Sequence, residues 1–81
     1  MFIELEQMDV VRLYHDIETD EAYGGYPLHV PNVTINTDHI VSMIEYENSY
    51  GEFDHTEILV TTDTIYKVTK RVSDIKEEIR R

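Results

Sequence analysis

The chain has 81 residues and no cysteine, and its 17 Asp and Glu against 7 Lys and Arg give a formal net charge of −10. A length of this order forms one domain with a thin core, no disulfide can staple it, and a structural zinc site would have to be built from His and carboxylates alone. So strong an excess of acid repels phosphate, which argues against direct contact with nucleic acid or an anionic membrane and in favour of a basic partner.

The acid is not that of a disordered tail, because 41% of the residues are hydrophobic and they are spread along the chain. The longest mostly apolar run, Ile40 to Ile44, is interrupted by Ser42 and falls far short of the ~20 residues a spanning helix needs. Met1-Phe2-Ile3-Glu4 meets acid at once and has no basic leader, so the expectation is a cytoplasmic protein, residues 1–81 forming a single domain. Charge is also unevenly placed. Arg12 is the only Lys or Arg before Lys67, whereas Lys67, Lys70, Arg71, Lys76, Arg80 and Arg81 crowd the end.

In chain order, residues 2–7 alternate Ile3 and Leu5 with Glu4 and Glu6, the period of a half-buried strand. Residues 10–17 read as a second strand, with Val11, Leu13 and Ile17 on one face; a helical period through Val10, Leu13, Tyr14 and Ile17 competes, and the β-branched and aromatic content favours the strand. Residues 18–27 contain Gly24-Gly25 and Pro27 and read as a loop. Residues 28–35 are extended around Pro31, as an edge strand or bulge allows, and Asn36-Thr37-Asp38 is turn chemistry. A strand is expected over 39–47, a polar loop over 48–54, and a strand from Thr56 to Thr61 with Ile58 and Val60 on its buried face. Asp63 turns the chain into a return strand, Ile65 to Val68, although Thr64 stands where a hairpin usually has Gly. From about Arg71 to Arg81 the spacing of Val72, Ile75 and Ile79 predicts a helix with one narrow apolar stripe, too short to hold alone and so packed on the sheet.

The second half carries a resemblance. Asn36-Thr37-Asp38-His39-Ile40 leads into a strand, Thr56-Glu57-Ile58-Leu59-Val60-Thr61-Thr62 and Tyr66-Lys67-Val68 form a Thr-rich hairpin, and Val72 and Ile75 follow in a terminal helix. This order resembles the small bacterial FlbD-like family, named for a flagellar operon, over Ile35 to Ile79. Asp63-Thr64 departs from the Gly that the family prefers, and the first half is longer than the pattern. The resemblance implies a compact antiparallel sheet and a regulatory or binding role, and it carries no catalytic residue.

Catalysis finds little footing in the residues themselves. There is no Cys nucleophile, Ser42, Ser49 and Ser73 lie in no nucleophile setting, and Gly24-Gly25 is followed by no Gly-Lys-Ser/Thr. The four histidines, His15, His29, His39 and His55, show no metal-ligand spacing, and Asp54-His55-x-Glu57 reads as an imidazole hydrogen-bonded to its neighbours. The expectation is a non-enzymatic protein with no metal and no cofactor.

Carboxylates two residues apart recur: Glu4 and Glu6; Asp16, Glu18 and Asp20, with Glu21 beside them; Glu45 and Glu47; Glu52 and Asp54. On a strand such pairs share a face ~6.6–6.8 Å apart, the order of the spacing between phosphates that advance ~3.4 Å along each DNA strand. A wet sheet face generates the spacing by itself, but it does not by itself exclude Lys and Arg. Tyr23 and Tyr26 flank the Gly pair and Tyr50 sits in the second acidic loop, where tyrosines supply contact area at small entropic cost.

The fold expected is mainly β (α+β): a small antiparallel sheet of about five strands, open or curled into a partly closed barrel, with a short C-terminal helix. The expected function is that of an inhibitor or regulator engaging a basic, DNA- or RNA-binding protein by presenting a DNA-mimicking surface. Its contact residues would be the acids at 4, 6, 16, 18, 20, 21, 45, 47, 52 and 54 with Tyr23, Tyr26 and Tyr50. In size and charge the chain is similar to phage-encoded acidic DNA mimics, a likeness of composition only. The alternative is an FlbD-like assembly regulator that forms homo-oligomers or binds through a sheet edge or the terminal helix.

Overall fold

A computed structural model describes the backbone of residues 1–16 and 21–81 and the side chains of residues 1–9 and 29–81. The described chain is mainly β, with β1 (Phe2–Leu5), β2 (Val10–Asp16), β3 (Glu21–Leu28), β4 (Val33–Asn36), β5 (Ile40–Glu47), β6 (Phe53–Val60) and β7 (Ile65–Val68), followed by one helix, α1 (Val72–Arg80). All pairings are antiparallel. They make three ladders, β1–β4, β2–β3 and β5–β6–β7, and form no closed barrel among the described residues.

The first and third ladders are tied together at their ends. Gln7 bridges Val68, Met8 N–H donates to the Lys67 carbonyl at 3.0 Å, and Thr69 N–H donates to the Glu6 carbonyl at 3.0 Å. Across the β4–β5 junction, where Thr37–His39 makes a single 3-10 turn, Thr61 N–H donates to the His39 carbonyl. Asn36 caps that turn by accepting from Asp38 N–H at 3.1 Å, as its turn chemistry predicts.

One sequence expectation is overturned. The loop expected over 18–27 is a strand from Glu21 onward, with Tyr26 opposite Arg12 and Pro27 opposite Val11; Glu18, Thr19 and Asp20 lie outside the described residues, as does Ile17 of the preceding strand. A two-stranded ribbon bonds each strand along one edge only, so a proline without N–H can occupy it, and the register shift between Arg12 and Tyr14 falls opposite Gly24-Gly25. The described residues form seven strands where about five were expected, and the strand not foreseen is β3.

The period-two pattern of the sequence is the origin of the core. Ile3 and Leu5 of β1, Ile35 of β4, Ile58 and Val60 of β6, Val68 of β7 and Ile75 of α1 are buried together, with Val33, Ile40, Met43, Tyr66 and Ile79 packed around them. Each fully buried aliphatic side chain contributes about 1.5–3 kcal/mol, so a core this small depends on all of them. Thr56, also buried, sits in line with Ile58 and Val60 and donates its hydroxyl to the Lys70 carbonyl at 2.8 Å, which pins the crossing from β7 to α1. The hairpin from β6 to β7 turns through Asp63, whose φ of 63° takes the left-handed position that Gly usually fills.

Candidate partner-binding surface

The β5–β6 connection is organised by one side chain. Asn48 Oδ1 accepts from Tyr50 N–H at 2.9 Å and from Glu52 N–H at 3.1 Å, while Asn48 N–H donates to the Glu52 carbonyl at 2.8 Å. Gly51, at φ 77°, supplies the backbone reversal that lets both bonds form. The loop thus holds Tyr50 outward, with 86% of its surface exposed, between the exposed Glu47 and Glu52.

Behind this tip lies an open concavity of about 680 Å³, walled by Glu45, Glu47, Glu52, Tyr46, Phe53 and Arg71 together with Gly51. Arg71 places its guanidinium 4.7 Å from the centre of the Phe53 ring, a cation–π contact that sets one positive charge among three carboxylates. Glu45 has a second task. Its Oε1 accepts from Val72 N–H at 2.9 Å, capping α1, whose own cap position, Arg71, offers no side-chain bond. A carboxylate at a helix N-terminus also meets the positive end of the helix dipole.

The other expected contact residues do not join this tip. Glu4 and Glu6 are exposed on the β1 side of the molecule, where Glu4 accepts from Asn32 Nδ2 at 3.4 Å and Glu6 from Thr69 Oγ1 at 3.3 Å. Asp54 is two residues from Glu52 but turns to a separate depression lined by His55, Ile65 and Lys67. Asp16 and Glu21 are paired across the β2–β3 ladder, and Tyr23 and Tyr26 lie on β3, with side chains outside the described set; Glu18 and Asp20 lie outside the described residues altogether.

Sequence reasoning missed three features of this surface: the Arg71–Phe53 contact, the capping role of Glu45, and the setting of His55. The His55 ring stacks on Tyr46 with centroids 5.1 Å apart and planes 9° from parallel. Its Nδ1 lies 2.7 Å from Asp54 Oδ2 and its Nε2 3.3 Å from Glu57 Oε2. The Asp54-His55-x-Glu57 pattern signalled the hydrogen bonds, while the stack needs the β5–β6 register that sets Tyr46 opposite His55. On the face of the sheet that Tyr46 and His55 share, cross-strand pairing places Ser42 beside Leu59 and Ile44 beside Glu57, then Ile65 and Lys67 on β7. On this face the row Ser42, Leu59 and Ile65 is mostly aliphatic, while the next row sets Glu57 between Ile44 and Lys67.

No group of His, Asp and Glu among the described residues is arranged to hold a metal ion, and no described helix is long and apolar enough to cross a membrane. No family model, curated protein or solved structure matches the chain.

Proposed function

We propose that this chain is a non-enzymatic binding protein that engages a basic, nucleic-acid-binding protein, with carboxylates at the β5–β6 end taking the place of phosphates. The observation that carries this reading is the presentation of Tyr50, 86% exposed and fixed by Asn48, between Glu47 and Glu52. An aromatic side chain held in water by its own loop costs solvation and gains area only when a partner covers it, and carboxylates on either side select a cationic surface for that partner. The net charge of −10 extends the attraction beyond the contact itself and speeds encounter.

The test is affinity capture from a bacterial lysate at low and high salt, followed by competition with duplex DNA. A basic nucleic-acid-binding protein that elutes as salt rises and is displaced by DNA is the expected result. Capture indifferent to both salt and DNA would sink the proposal.

A further inference from the structure

We infer that the outer edge of β5 is a strand-addition site, and that its occupant is an extended basic segment of the partner protein. The sheet order β5–β6–β7 leaves β5 with one unpaired edge, and no backbone hydrogen bond among the described residues reaches it. Natural edge strands are guarded by proline, lysine, inward charges or bulges. β5 contains no Pro, Lys or Arg, and its one acid on the core side, Glu45, is bonded to the N-terminus of α1 rather than set against the open edge. Its ladder to β6 is irregular only at its ends, between Ile40 and Ser42 and between Tyr46 and Glu47, so Ser42–Tyr46 is a regular, pleated template. Val41 and Ile44, at 59% and 52% exposure, leave aliphatic surface open along it.

Charge decides the occupant. A second copy would bring another −10 to the same edge, whereas a strand carrying Lys or Arg would gain the carboxylates of Glu47 and Glu52 at the end of β5. Alternation fixes the rest of the chemistry. Residues of the added strand on the Ser42, Ile44 and Tyr46 face would meet aliphatic and aromatic neighbours, while those on the opposite face would meet Glu45 and, at the hairpin end, Glu47. The partner segment is therefore an alternating aliphatic and basic strand of about five residues, the length of the regular template. This inference rests on the proposed reading that the partner is basic, and adds how the partner docks.

The probe is a synthetic peptide of alternating Val and Lys, with a second peptide of the same sequence N-methylated at alternate residues, which keeps the charge and removes the donors of one edge. Binding to the intact chain is read by fluorescence anisotropy at low salt, and hydrogen exchange is read at the amides of Ser42–Tyr46. The expected result is binding that weakens at least tenfold on N-methylation, with slowed exchange in that stretch. Equal binding of both peptides overturns strand addition and leaves the acidic-surface reading standing. Absence of binding by either peptide overturns the inference and counts against the basic partner as well. Self-association that protects the same amides without peptide overturns it in favour of a second copy.

Discussion

Glu45 and Val72 are 27 residues apart in sequence, yet the Glu45 carboxylate accepts the first free N–H of α1 at 2.9 Å. The bond joins an edge strand to a terminal helix that has no cap of its own, and it explains why an acid sits at a β5 position whose cross-strand partner is the buried Thr56. Replacing Glu45 with Ala is expected to cost about 1 kcal/mol, the usual loss of an N-cap acceptor, while Gln retains the acceptor and costs less. Urea denaturation of the two variants checks this; equal losses would assign the effect to charge rather than to the cap. Reversal of Glu45 to Lys would confuse stability with binding and is a poor probe of the acidic surface.

Thr56 is fully buried with its hydroxyl on the Lys70 carbonyl. Thr56→Val keeps the shape and the strand preference but strands that carbonyl without its donor. The expected cost is about 0.5–1.5 kcal/mol, the net contribution of one hydrogen bond. A Thr56→Ser variant restores the donor and should recover part of the loss. If Val is as stable as Thr in a thermal melt, the bond contributes nothing and β branching alone explains the residue.

Asp63 turns the β6–β7 hairpin at φ 63°, with its N–H donating to the Val60 carbonyl at 3.0 Å. Asp tolerates this conformation better than most residues, and a β-branched residue tolerates it poorly. Asp63→Val should therefore destabilise the chain by about 1–2 kcal/mol, the left-handed penalty, and Asp63→Gly should be neutral or slightly stabilising. Melting temperatures in that order, Gly at or above wild type and Val below, are the check.

Local patterns made much of the fold legible. The alternation along β6 put Ile58 and Val60 on its buried side, and the spacing of Val72, Ile75 and Ile79 put Ile75 in the core. Asn36 announced its turn. What stayed hidden depends on partners distant in sequence. β3 is a strand despite Gly24, Gly25 and Pro27 because β2 is there to pair with it. Glu52 and Asp54 diverge because the ladder slips between Tyr46 and Glu47, a register event that no spacing rule foresees. Of the expected contact residues, Glu45, Glu47 and Glu52 are brought to one concavity with Tyr50 beside it, and Glu4 and Glu6 are not, since two-residue spacing sets a face but not which end of the molecule that face occupies.

The acidic tip offers the sharpest functional prediction. Glu47 and Glu52 are exposed and cap nothing, so reversing both to Lys should shift the melting temperature by only a few degrees, as surface substitutions usually do. Affinity for the basic partner should nevertheless fall at least tenfold, and its salt dependence should flatten because two charges of the complementary set have changed sign. Tyr50→Ala should also weaken binding, by about 1–2 kcal/mol for a modest aromatic anchor, with the salt slope unchanged, since the ring carries area and no charge. The two responses separate the roles. A Tyr50 variant that alters the salt slope, or a Glu47 and Glu52 double reversal that leaves affinity intact, would place the contact elsewhere, with Glu4 and Glu6 on the β1 side the next residues to reverse.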